Sequence, residues 1–142
     1  MSEEERLKKY RRCEECNEIN TVYKWCRTCN ASHFRNDFDK WTSGNKEIDY
    51  FIQNTQIHAW QDDLVLEWYP WSTFSEMKEI GKGGYGTVFR AKRKLGRIDK
   101  WDQQKNEWSR YSNDKNVALK TIGHCKSLSK DFLNEVTNLY LL

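Results

Sequence analysis

Apolar positions along the chain change period from one stretch to the next, and each period predicts an element. Residues 1–12 are mostly charged, with only Leu7 and Tyr10 to bury, which suits a solvated, partly helical arm. Thr21-Val22-Tyr23-Lys24-Trp25 alternates with period two, as a strand does. Phe34, Phe38 and Trp41 recur at i, i+4 and i+7, the stripe of a short helix that Thr42-Ser43-Gly44-Asn45 stops. A second stripe of Ile48, Phe51, Ile52, Thr55 and Ala59 predicts a helix from Lys46 to Ala59, with Asn45 as its N-cap. Both stripes read as packing surface, because aromatic and aliphatic residues at helical spacing usually serve a core.

From Trp60 to Trp71 the chain is rich in aromatics, and Pro70 breaks any regular element there. The stretch reads as a seam that docks onto a domain beginning near Phe74. Further on, residues 97–102 and 107–111 alternate around a polar turn at Gln103 to Asn106, which predicts a hairpin. Trp101 and Trp108 would pair across its strands, an interaction worth about 0.2–1 kcal/mol, and the hairpin is expected to extend a β-sheet. A last helical stripe runs through Leu128, Phe132, Val136 and Tyr140, with Ser127 or Ser129 as cap.

Composition narrows the partners. With 142 residues, 37% hydrophobic and 32% charged, the chain suits one compact domain or two small ones. A net charge of +3, with Glu3-Glu4-Glu5 close to Lys8-Lys9 and Arg11-Arg12, shows no single-sign patch and argues against a nucleic-acid partner. The N-terminus lacks the apolar core of a signal peptide, and no run approaches the length of a membrane span. The expected location is therefore intracellular, cytosol or nucleus, where cysteines serve as thiols or metal ligands rather than disulfides.

Cys13-Glu14-Glu15-Cys16 and Cys26-Arg27-Thr28-Cys29 form two C-x-x-C knuckles nine residues apart. Each knuckle supplies two sulfurs from a tight turn, so Cys13, Cys16, Cys26 and Cys29 together suit tetrahedral Zn²⁺, with the second knuckle carried on a small ribbon hairpin. The competing reading is a redox pair or free thiols, but redox C-x-x-C motifs belong near a βαβ unit that this stretch lacks. Four protein ligands leave no open position, which makes the site structural and leaves His33 unneeded. The knuckles with Asn20 loosely resemble the Ran-binding type of zinc finger. The chain departs from that pattern at Arg11, where a tryptophan is expected, and by one residue fewer before the second knuckle, so RNA binding is not carried over.

Ile80 to Val88 reads Ile-Gly-Lys-Gly-Gly-Tyr-Gly-Thr-Val, a G-x-G-x-x-G-x-V pattern. Glycine lets backbone N–H groups approach phosphate oxygens closely. The β-branched and aromatic residues after Gly86 predict a strand, which excludes the helix-opening nucleotide motifs, and no Gly-Lys-Ser/Thr is present. An ordinary flexible hairpin is the plain alternative. Downstream, Val117-Ala118-Leu119-Lys120 would place Ala118 and Lys120 on one face, small Ala118 leaving room for a flat base beside the ammonium. Glu135 follows fifteen residues later on the predicted helix. Taken singly, Lys120 and Glu135 read as solvated charges.

In combination, residues from about Phe74 to Val136 resemble the beginning of the N-terminal lobe of a eukaryotic-type protein kinase. Over nearly its full length the chain also resembles the expanded kinase-like family of arbuscular mycorrhizal fungi. That resemblance is carried by the two knuckles, Trp41-Thr42-Ser43-Gly44-Asn45, Ile48-Asp49, Phe51-Ile52-Gln53-Asn54-Thr55-Gln56 and Leu66-Glu67-Trp68.

The resemblance implies an α+β chain: a zinc-ribbon-like module over 1–31, a helical linker over 32–73, and a partial kinase lobe over 74–142 with an insert at about 95–112. It implies ATP contacts from Ile80, Gly81, Lys82, Gly83, Gly84, Tyr85, Gly86, Val88, Ala118 and Lys120. Ile80 and Val88 would cover adenine, Tyr85 would form an aromatic flap over the phosphates, and Glu135 would pair with Lys120, these last two being the catalytic pair. The family's H-R-D and D-F-G motifs do not occur in these residues, and Asp131-Phe132-Leu133 matches the second only superficially. Mg²⁺ is expected for the whole family domain, but its ligands are missing here, so transfer from ATP to protein hydroxyl groups is not expected of this chain alone. The other reading is a non-catalytic interaction protein whose zinc module and helices over 32–59 recruit a partner.

Overall fold

The computed structural model describes residues 1–83, 86–112 and 115–121. Gly84, Tyr85 and the helix expected around Glu135 lie outside the described residues. Three α-helices and five strands occur among those described, so the α+β class holds. No helix among them is long and apolar enough to cross a membrane.

Charge and capping account for α1 (Glu3–Tyr10), which buries nothing fully. Ser2 Oγ accepts from Glu5 N at 3.1 Å, three glutamates occupy the first turn, and Lys8 and Lys9 occupy the last. Helix α2 (Arg27–Asp37) begins immediately after Cys26, and a 3-10 turn at Phe38–Lys40 extends it. Helix α3 (Lys46–His58) starts as expected: Asn45 Oδ1 accepts from Glu47 N at 2.9 Å and Ile48 N at 3.2 Å. Asp49 in its first turn collects donors from Thr42 Oγ1, Ser43 N and Ser43 Oγ. Those hydrogen bonds, Ser43's foremost, hold its carboxyl below the usual range.

Two compact units divide the chain. The first comprises Met1–Trp68 together with Ile98–Ser109; the second comprises Tyr69–Arg97 and the chain from Arg110 onward. In the first, α2 packs on α3, and the core is built from Trp25, Phe34, Ala59 and Ile98. Val22, Phe38, Leu64, Val65 and Trp108 pack against it. Trp25 is 2% exposed, and its Nε1 donates to Ala59 O at 3.0 Å, so its one polar atom is satisfied.

The second unit holds an antiparallel sheet of order β1-β2-β5, from β1 (Phe74–Gly83), β2 (Gly86–Arg93) and β5 (Lys115–Lys120). Irregularities between Ser75 and Lys78 and between Glu79 and Gly81 interrupt the β1/β2 register. The hairpin of β3 (Ile98–Asp102) and β4 (Glu107–Arg110) forms a separate two-stranded sheet, which corrects the expectation that it extends the larger one. A lone hairpin is marginal in water, and this one instead turns Ile98 and Trp108 into the core of the first unit. At its base Tyr111 N donates to Arg97 O at 2.9 Å, and a Cβ on Gly96 would stand 1.9 Å from Tyr111 O. Only glycine permits that approach.

Two further expectations are corrected. Residues 21–25 make a turn rather than a strand: Lys24 has φ 66°, Trp25 N donates to Val22 O at 3.0 Å, and the only pairing here is the isolated bridge Val22 with Trp25. The turn swings Trp25 inward, which a strand alternating across 21–25 would not require. No ribbon carries the second knuckle, since Cys26 is the N-cap of α2. Residue 31 therefore lies inside a helix, and the knuckles are continuous with the helices that follow.

Trp25→Phe removes the donor to a buried carbonyl and shrinks the core ring. It is expected to destabilise the protein by about 2–4 kcal/mol in denaturant titrations, whereas a loss under 0.5 kcal/mol would show that Trp25 is not central.

Candidate metal centre

Geometry at the knuckles follows from two turns of different kind. In the first, the backbone between Cys13 and Cys16 folds so that Glu15 N donates to Cys13 Sγ at 3.4 Å. Asn17, with φ 64°, donates its N–H to Cys13 O at 2.9 Å and reverses the chain. In the second, the opening turn of α2 brings Cys26 and Cys29 to one side. The four sulfurs then lie within 4.8 Å of one another.

Individual separations are informative. Cys13 Sγ and Cys29 Sγ are 3.8 Å apart, as are Cys16 Sγ and Cys26 Sγ. A disulfide needs about 2.05 Å, so neither pair is bonded. A tetrahedral ion with metal–sulfur bonds of about 2.3 Å sets sulfur–sulfur edges of about 3.8 Å, so these four residues fit one such ion.

Burial and dipoles divide the four thiols. Cys13 and Cys26 are buried, Cys29 is half-buried and Cys16 is exposed. Burial pushes the Cys26 thiol up to about 11 and also raises that of Cys29. The Glu18 backbone N–H pulls the Cys16 thiol down. Four gathered thiolates would need a cation to offset them, since desolvation favours the protonated thiols of Cys26 and Cys29.

A second layer ties the centre to the hairpin. Glu15, between two of the cysteines, meets His33 Nε2 through both carboxylate oxygens at 2.8 and 2.9 Å. His33 stacks on Trp101 with centroids 3.7 Å apart and planes at 10°. Trp108 stacks on Phe34 at 4.4 Å and on Trp25 at 5.9 Å, and it meets Trp101 edge-on at 5.0 Å. Sequence reasoning set His33 aside and missed Glu15 altogether. No periodicity marks either one, because their partners come from distant segments.

In the second unit, Gly81, Lys82, Gly83, Gly86, Val88 and Lys120 line one concavity of about 220 Å³. The register that pairs Val88 with Lys120 and Arg90 with Ala118 brings the lysine beside the glycine hairpin. Gly86 has φ 129°, and a Cβ there would come within 2.0 Å of Thr121 O, so it must be glycine; above Gly81 and Gly83 there is open space. Ala118 and Lys120 share an exposed face, as the alternation requires, while Val117 and Leu119 are half-buried. Ile80 is 57% exposed, and neither it nor Ala118 lines the concavity. Gly84, Tyr85 and Glu135 fall outside the described residues.

Compared with protein-family models, curated proteins and solved structures, the chain matches none.

Because thiols must lose protons to bind a cation, uptake of Zn²⁺ at pH 7 is expected to release about three to four protons per chain. The sign follows from the raised Cys26 and Cys29 thiols, which hold their protons at neutral pH until the ion displaces them. Affinity therefore falls as pH falls. Calorimetry in buffers of different ionisation enthalpy measures the number; release of fewer than one proton would exclude thiolate ligation.

Proposed function

We propose that the first unit is a zinc-ordered, non-catalytic binding module in which Cys13, Cys16, Cys26 and Cys29 hold Zn²⁺. The observation that carries this reading is the pair of 3.8 Å sulfur–sulfur separations within a cluster spanning 4.8 Å. Four protein ligands leave no place for substrate, so the ion would serve as a structural crosslink between the first knuckle and α2. The purified chain is expected to carry one Zn²⁺, and Cys26→Ser to lose it. With the ion gone, Trp101 and Trp108 should enter a wetter environment, seen as a red shift in fluorescence. Metal-free protein with unchanged near-UV circular dichroism would overturn the structural role.

A second reading is favoured by a different observation, the meeting of Gly81, Gly83, Gly86, Val88 and Lys120 around one concavity. In this reading the second unit is a lobe of protein-kinase type that binds ATP, with backbone N–H groups of the glycine hairpin and the Lys120 ammonium on its phosphates. Ile80 and Ala118 would border the base, Tyr85 would cover the phosphates, and Glu135 would steady Lys120. Phosphoryl transfer to protein hydroxyl groups would further require Mg²⁺ and the catalytic carboxylates of the family. Titration with ATP separates the possibilities: Lys120→Ala is expected to weaken binding about tenfold. Equal binding by both proteins removes Lys120 from the site.

A further inference from the structure

Within the first unit a polar groove of about 580 Å³ is lined by residues of the first knuckle, α2 and the β3–β4 hairpin. Its size lies in the range of ligand sites. Three features suggest it is built for an occupant. Asn30, on α2, lines the groove and is 4% exposed, yet its Nδ2 has no hydrogen-bond partner among the described residues. An unpartnered buried amide works against folding, and a leucine of similar shape would serve the core at least as well.

The second feature is strain. Arg11, also on the groove, has φ 63° and ψ 176°, a region that essentially only glycine holds without cost. Lys24, with φ 66°, is another lining residue. The third is charge: Arg11, Lys24 and Lys100 line the groove, and none forms an ion pair among the described residues. Lys24 Nζ lies over the Tyr23 ring at 5.2 Å from its centroid, and Arg12 Nη1 donates to Asn17 O at 3.0 Å.

Charge also discriminates between occupants. Glu14, Glu15 and Asp102 line the same groove, Glu15 being held by His33, so positive and negative groups are interspersed along it. A nucleic acid, with a phosphate at every residue, would meet those carboxylates repeatedly. A peptide with isolated acidic side chains avoids them while reaching the cations, and its backbone oxygens suit an amide donor such as Asn30.

We propose that this groove binds an extended peptide segment carrying one or two carboxylates. They would pair with Arg11, Lys24 and Lys100, and an oxygen of the segment would accept from Asn30. The inference rests on reading this unit as a binding module and names the class of its partner.

The test uses the full chain loaded with Zn²⁺, with metal content measured separately so that loss of the centre is distinguished from loss of the groove. Probes are fluorescein-labelled octapeptides bearing two glutamates, the same peptides with glutamines, and labelled octauridylate, compared by anisotropy. The glutamate peptides are expected to bind about tenfold more tightly than their glutamine counterparts. Arg11→Gly, which relieves the backbone, and Asn30→Leu should both melt no lower than wild type, keep their metal, and bind the glutamate peptides at least fivefold more weakly. Equal binding of glutamate and glutamine peptides, tighter binding of octauridylate, or wild-type affinity in both variants would overturn the proposal.

Discussion

Burial of the Trp25 indole is the constraint on which the first unit depends. The residue directly precedes Cys26, so whatever fixes the ring also fixes where the second knuckle begins. Its Nε1–H reaches the carbonyl at the end of α3, while its faces meet Phe34 of α2 and Trp108 of the hairpin. One side chain thus joins three segments far apart in sequence, and the helix it introduces is capped by Cys26 and carries Cys29. Packing and ligation are coupled here: the core orients the opening turn of α2, and an ion on that turn would in return secure the first knuckle.

The second unit follows another logic. Strand β1 is largely exposed and β2 mostly half-buried, and among the unit's described residues only Ala91 and Gly96 are buried. Its specificity is instead written in backbone requirements: Gly86 and Gly96 each sit where a Cβ would collide with a carbonyl oxygen. Gly81 and Gly83 face no such restriction, so their lack of a side chain keeps space open rather than relieving a clash.

What was legible in the sequence was whatever depends on local rules. The Asn45 cap, the α3 stripe, the four-cysteine spacing and the shared face of Ala118 and Lys120 all follow from periods and turns within a few residues. The alternation of the hairpin was legible too, including the Trp101 and Trp108 pair. Which surface that hairpin covers was not, since alternation states that one face is buried and is silent about what buries it. The misreading of residues 21–25 has a related cause: five residues of alternating polarity fit a turn that inserts one tryptophan as well as they fit a strand. Glu15 and His33 left no trace at all, because a hydrogen bond between a knuckle and a helix face has no sequence period.

The placement of β3 and β4 within the first unit bears on how the chain is made. Cys29 leaves the ribosome about 70 residues ahead of Ile98, so at 5–20 residues per second the knuckles wait roughly 3–14 s for the segment that completes their core. During that interval Trp25 and Phe34 lack Trp108, and the part of their surface that the hairpin covers in the finished fold stays open. Early capture of a metal ion would hold the knuckles together through the delay, and the four cysteines would then have a part in the order of biosynthesis as well as in the finished fold.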